Sequence, residues 1–442
     1  MTPMKRLLAI ALLASVLGSF IAERSAAAED DKVLTHRQQA VLIRGFIEKR
    51  FETLLPRLMR EAGIDMWVIV TREYNDDPVF RSMAPLTTYS SRRRTILVFF
   101  DPGAGRPVER LSVGRFDYDG LFKVVPTHND AQWEGLRKLV AEKNPKVIGI
   151  NTSEAFNHAD GITANEKDNL MRALGPEFAK RVTSAEKLAV SWLDLKLPEE
   201  ADIYRHVMRS ARQIIREAFS NEVIVPGVTT TEDVVWWMRQ RVAELGHGGW
   251  FHPSITIARK GFPTGVPASE RTIQRGDLLH TDFGIVYVGF STDTQHHAYV
   301  LLPGETDAPQ GLKDGLKAAN RLQDLTMQFA KVGGTGNQSL AAARKQAVAE
   351  GLVPSIYCHP IGYHGHGAGS PIGMTDYQEG VPVRGDYPLQ AFSWHSIELN
   401  ATHEVKEWDD QPVRFALEED AFLFPTGWQW VVGRQTEFYL IK

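Results

Sequence analysis

Cysteine is nearly absent. Cys358 stands alone among 442 residues, which excludes an internal disulfide and leaves stability to the core and to any bound metal. A solitary thiol is more often a packing residue than a nucleophile, so Cys358 beside His359 does not read as a catalytic pair. A marked excess of charge of one sign is missing as well. Basic and acidic side chains number 50 and 54, for a net charge of −4, which gives no sign of a nucleic-acid partner. The densest basic run, Arg92 to Arg94 in "SSRRRT", reads as a solvated turn. No fixed-period repeat and no low-complexity tract is visible. The longest apolar run, Leu7 to Ala22, is too short for a comfortable membrane span.

That run has the form of a processing signal. "MTPMKR" supplies a positive start and "SAAAED" supplies small residues for cleavage after Ala26, Ala27 or Ala28. The expectation is a Sec-type signal peptide over residues 1–28, a mature chain without a membrane span, and a periplasmic location.

What remains divides near Pro198. From Leu34 to Ile64 the pattern is an amphipathic helix broken near Pro56. "DMWVIV", "TILVFF" and "KVIGIN" read as buried strands, with a helix at "AQWEGLRKLVAEKN" before the last. Alternating strands and helices predict an α/β domain over residues 33–196. The second domain, 197–442, opens on two long helical stretches separated by the Pro-Gly turn of "VPGVTT", with Thr230 as a cap. Strands dominate after Gly246, interrupted by helices at "GLKDGLKAANRLQDLTMQFAKV" and "SLAAARKQAVAEGL".

Chemistry concentrates in this second domain. "HTDFGIVYVGFSTD" reads as two strands folding back on each other. A reversal centred on Tyr287–Val288 makes Asp282 and Asp293 direct cross-strand partners, their Cβ atoms roughly 4.5–5.5 Å apart. Like charges repel there unless cations lie between them, and two-metal hydrolases hold ions roughly 3.5–4 Å apart with such bridging groups. "YCHPIGYHGHGAGSPIGMTD" adds His359, His364 and His366, with glycines flanking His366. Glu398 shares a strand face with Phe392, Trp394 and Ser396, which places Trp394 nearest the ions among Trp236, Trp237, Trp250 and Trp394. Glu418 opens an apolar strand. Carboxylates joined by one imidazole suit Mn, Zn, Co or Fe better than calcium.

These residues resemble the pita-bread metallopeptidases: methionine aminopeptidase, aminopeptidase P, prolidase and creatinase. Asp282, Gly284 and Asp293 match the Asp-x-Gly motif with its second Asp eleven positions on. Gly365 to Gly369 match Gly-His-Gly-x-Gly, so the resemblance assigns the metal histidine to His366. Glu398 matches the glutamate ending a hydrophobic strand, and Glu418 the final glutamate nine residues before a glycine, here Gly427. The N-terminal domain looks like the one preceding the catalytic unit in aminopeptidase P, prolidase and creatinase. The implied fold is therefore α/β: a creatinase-like α/β domain followed by a pita-bread α+β catalytic domain.

The resemblance implies two divalent ions per chain, with Mn²⁺ favoured and Zn²⁺, Co²⁺ or Fe²⁺ admitted. Asp282, Asp293 and Glu418 would hold one ion; Asp293, His366, Glu398 and Glu418 the other. Glu398 is also the catalytic base, and the substrate is a small peptide of the Xaa-Pro type, cleaved by an aminopeptidase or dipeptidase that admits a homodimer. Alternatives are a related two-metal hydrolase of a non-peptide amide or ester, and a non-catalytic binding protein on this fold. Three motifs depart from the family. No histidine lies between Ala258 and Leu279, leaving His252 and His280 nearest. "PIGMTD" lacks the second family histidine, and "TQHHAY" replaces Thr-Arg-Thr. His359, His364 and the His296–His297 pair are then the candidates for contacting substrate.

Overall fold

The structure, a computed structural model, describes residues 33–103, 105–127 and 131–442, so the segment read as a signal peptide lies outside it. Helix α1 (His36–Lys49) is capped by Thr35, whose hydroxyl accepts from the Gln38 N–H. A π-helical turn, Arg50–Leu54, leads into α2 (Leu55–Glu61) with Pro56 in its first turn. Proline offers no N–H to a preceding carbonyl, and the wider turn before it absorbs that loss without ending the helical path. The irregularity expected at Pro56 thus falls one turn earlier.

Six strands follow: β1 (Met66–Arg72), β2 (Arg94–Phe100), β3 (Glu109–Gly114), β4 (Lys123–Pro126), β5 (Ile148–Ile150) and β6 (Val182–Ser184). They form one sheet in the order β4-β3-β2-β1-β5-β6, in which β2 alone runs against its neighbours. The central strands are apolar on both faces because both faces are covered. Trp67, Ile69, Leu97 and Phe99 pack toward α1, α2 and α5 (Glu186–Asp194). Met66, Val68, Val70, Ile96 and Val98 pack toward α3 (Ala131–Lys143) and α4 (Ala164–Ala179).

Pro198 starts α6 (Pro198–Ala218), and the Glu200 carboxylate accepts from the Leu197 N–H at its N-terminus. Thr230 caps α7 (Thr231–Glu244) in a capping box with Asp233. One four-stranded sheet, in the order β19-β11-β8-β7, is built from β7 (Ser254–Ala258), β8 (Leu278–Phe283), β11 (Thr294–Val300) and β19 (Tyr439–Ile441). The short β9 (Val286–Tyr287) and β10 (Phe290–Ser291) form the hairpin joining β8 to β11. Helices α8 (Gln310–Phe329) and α9 (Gly336–Ala349) precede the remaining strands. These are β12 (Val353–Ile356), β15 (Leu399–Val405) and β16 (Gln411–Leu417) in one sheet, and β13 (His359–Pro360), β14 (Ser393–Ser396), β17 (Asp420–Phe424) and β18 (Gly427–Trp430) in another.

A buried arginine ties the two halves together. The Arg50 guanidinium donates to the Leu195 carbonyl at 2.8 Å, to the Trp192 carbonyl and to Glu200 at 3.2 Å. It also lies 4.4 Å from the Trp192 ring centroid and 5.0 Å from that of Tyr363, which neighbours the histidine-rich loop. A charge this deep is tolerated because it is both paired and hydrogen-bonded.

Candidate metal centre

The hairpin between β8 and β11 sets the first two carboxylates. Tyr287 pairs with Phe290, so the reversal centres on Val288–Gly289, both with positive φ (48° and 86°). That is one residue later than the sequence-based expectation, because Gly289 is the residue that reaches such a backbone without strain. The correction moves each cross-strand partner by two: Asp282 faces Gln295, and Asp293 is not its direct partner. Strand side chains alternate with period two, so a shift of two keeps the same face. Asp282, Asp293 and Glu418 consequently still bring oxygen atoms within 4.8 Å of one another.

Gly284 makes room for this turn, since a Cβ there would lie 2.3 Å from the Thr292 carbonyl and 2.4 Å from the Trp250 indole nitrogen. Glu418 falls between β16 and β17 and bridges back to Gln295. The Ser396 hydroxyl donates to its Oε1 at 2.7 Å. Glu398 sits between β14 and β15, its carbonyl accepting from the Tyr357 N–H at 3.0 Å. Gln295 links the two glutamates: its Nε2 donates to Glu398 Oε1 at 2.9 Å and to Glu418 Oε2 at 2.8 Å, while its Oε1 lies 2.9 Å from His280 Nε2. Within "TQHHAY" it is therefore Gln295, and not His296 or His297, that reaches the two glutamates. A Gln295→Leu variant is expected to weaken metal affinity by roughly 10–100-fold, the usual effect of removing a partner that orients a ligand. Titration of the metal-stripped variant with Mn²⁺ checks this.

The histidines separate clearly. His359, in β13 opposite Ser396, places Nε2 3.2 Å from Glu418, 3.8 Å from Asp293 and 3.9 Å from Glu398. Its Nδ1 lies 3.0 Å from the Pro360 carbonyl, which directs Nε2 toward the carboxylates as an acceptor. His366 lies 4.7 Å from the His359 ring, shares a possible donor set with Asp293 and His359, and is the more exposed. His364 instead lies against His158 of the N-terminal half, their ring centroids 4.5 Å apart and their planes tilted by 36°. His296 and His297 are fully buried and cannot meet a substrate, which corrects their candidacy. His296 Nε2 lies 2.6 Å from Glu419, and His297 packs on Phe415 and Phe438. His280 joins the centre only through Gln295, and His252 lies beside Trp236 and Arg239.

Trp394 also needs correction. Its ring stacks 4.3 Å from Tyr204 inside the core, and the indole beside the centre is Trp250, 5.3 Å from His366. Cys358 is buried, and burial followed by the nearby Glu398 and Glu418 pushes its thiol well above the usual range, which makes it no nucleophile.

The electrostatics ask for cations. Burial, then Glu418, raises Glu398 to about 8. Burial, then Asp282, raises Glu418 to about 8. Burial raises Asp282 to about 6, and burial with Glu418, Asp282 and Glu398 around it raises Asp293 well above the carboxylate norm. Four such groups do not ionise together at neutral pH without positive charge between them. Asp282 Oδ1 is buried without a hydrogen-bond partner among the described residues. An all-oxygen donor set next to one with imidazole fits divalent ions.

Residues 202–415 match the profile of metallopeptidase family M24. The uncharacterized peptidase YqhT of Bacillus subtilis (strain 168) is 27% identical over 264 residues, covering 58% of this chain and 63% of that protein. The chain therefore spans less than two thirds of this curated relative. The fold is similar to the X-Pro aminopeptidase from Thermotoga maritima MSB8, with TM-score 0.63, 17% identity and coverage of 87% and 99% of the two chains. It is also similar to a dipeptidase from Pyrococcus horikoshii OT3, with TM-score 0.60, 17% identity and coverage of 90% and 100%. With motif order, converging carboxylates and fold in agreement, residues 202–415 of this chain are similar to metallopeptidase family M24.

Proposed function

We propose that the chain is a metal-dependent peptidase acting on short peptides of the Xaa-Pro type, exported by residues 1–28 and working in the periplasm with two divalent ions, Mn²⁺ favoured. The observation that carries this reading is the convergence of Asp282, Asp293, Glu398 and Glu418 with His359 in one buried centre. Neighbouring structures named as an X-Pro aminopeptidase and a dipeptidase support the substrate class. Asp282, Asp293, Glu398, Glu418 and His359 would hold divalent ions, which would supply Lewis acidity toward the scissile carbonyl and a lowered pKa for the attacking water.

The protein's own groups do the rest. Glu398 takes the proton from the attacking water and delivers it to the leaving nitrogen. Gln295 holds Glu398 and Glu418 in register through its forked amide. Trp250 walls the side on which His366 stands.

His359 is the imidazole ligand on this reading, because its Nε2 faces Asp293, Glu398 and Glu418, the three carboxylates that would hold the second ion with it. His359→Ala is expected to lose one metal equivalent. His366→Ala should retain both ions and chiefly raise KM. Metal analysis of the two variants decides: loss of an ion at position 366 alone returns the ligand to the glycine-flanked histidine. Turnover of an Xaa-Pro and non-proline peptide panel with Mn²⁺, Zn²⁺ and Co²⁺ tests the function, and a chain that binds two ions but cleaves none of the peptides refutes the substrate class.

A further inference from the structure

The N-terminal sheet carries a concave site that the peptidase reading does not use. β1, β3 and β4 run in one direction, and a cavity of about 590 Å³ opens where they end and the antiparallel β2 begins. Crevices beyond the carboxyl ends of strands are where open α/β sheets place their ligands. The volume falls within the roughly 300–1,000 Å³ of ordinary ligand sites.

Its lining is cationic. Arg72, Arg92, Arg93, Arg94 and Arg115 all border the cavity. Glu166 is shared by Arg72 at 3.5 Å and Arg94 at 2.9 Å, and Glu73 reaches Arg92 only at 3.9 Å. Among the described residues, no carboxylate lies within ion-pair distance of Arg93 or Arg115. Among the described residues, five guanidiniums paired only with Glu73 and Glu166 leave three positive charges in excess around one concavity. A cleft with low-dielectric walls focuses such a field outward.

Two further features point to an occupant. Thr127 Oγ1, on the wall, is buried without a hydrogen-bond partner among the described residues. Tyr74, Arg93 and Tyr118, also lining residues, hold left-handed backbones with φ of 65°, 43° and 53°. Strain of this kind collects at ligand sites, where surrounding structure over-determines it. The Arg92 and Arg115 guanidiniums both lie over the Phe116 ring, 5.8 and 5.6 Å from its centroid. Planar guanidinium forks match phosphate oxygens in pairs.

We propose that this crevice binds a multiply charged phosphate group, carried by a small soluble molecule or by a lipid headgroup. Pyrophosphate is titrated calorimetrically into the metal-loaded full chain, into the Arg93→Ala/Arg115→Ala variant, and into Glu418→Ala, which removes phosphate affinity owed to the metal centre. The expected result is a site that persists in Glu418→Ala and weakens at least tenfold in the arginine variant, with peptide turnover by the arginine variant unchanged. Should the double variant melt early, Arg115→Ala alone, at an exposed position, serves the same comparison. Binding to phosphatidic acid vesicles but not to pyrophosphate, lost with the arginines, assigns the phosphate to lipid. Equal affinity in the arginine variant, disappearance of all binding with Glu418→Ala, or preference for citrate over pyrophosphate overturns the proposal.

Discussion

Glu418→Ala is expected to abolish peptide turnover and to weaken binding of both ions together. Glu418 is placed to touch both halves of the centre: it shares one donor set with Asp282 and Asp293 and another with His359 and Glu398. It is buried and held from two sides, by Ser396 at 2.7 Å on one oxygen and Gln295 at 2.8 Å on the other. Losing it therefore removes a bridge and leaves two donors unpaired. The loss should exceed the roughly 10–100-fold that follows from removing an outer partner such as Gln295. Metal analysis alongside turnover checks this, and a variant that keeps two ions and its activity assigns the bridge elsewhere.

The second large effect is expected from Glu398→Gln. This change keeps the size of the side chain and one oxygen, and removes the basic carboxylate. If Glu398 moves the proton, kcat falls by about 10²–10⁴-fold, the usual share of general acid–base catalysis. KM should change little and two ions should remain. The amide at position 398 can still meet Gln295 Nε2 through its oxygen, so the local hydrogen bond survives. A variant with an unchanged kcat and a raised KM would make Glu398 a substrate contact rather than a base.

Much of the centre was legible in the sequence because β-strands have a strict alternation. The Asp282–Asp293 spacing placed both residues on one face, and the structure keeps them there although the turn falls one residue later and Asp282 faces Gln295. What local pattern does not carry is which atom reaches which across sheets. Glycines around His366 looked like clearance for a ligand. In the structure they serve close packing: a Cβ at Gly365 would lie 2.4 Å from the Trp250 ring, and one at Gly367 2.8 Å from the Pro360 carbonyl. His359 gains its position from the β13–β14 ladder, a long-range pairing invisible in a stretch of sequence. Trp394 followed strand alternation toward the centre, yet Tyr204 from α6 and Phe290 from the hairpin enclose it. The arginine run at 92–94 read as a turn because Arg72 and Arg115, distant in sequence, supply the rest of that cavity.

The most direct test of the central claim is metal content measured together with peptide turnover on one sample. The chain is stripped with chelator, reloaded with Mn²⁺, and assayed on an Xaa-Pro peptide at each step. About two ions per chain, with activity that vanishes on stripping and returns on reloading, is the predicted result. A stripped chain that retains full turnover, or a reloaded chain that binds no metal at the Asp282–Asp293–Glu418 centre, contradicts the account.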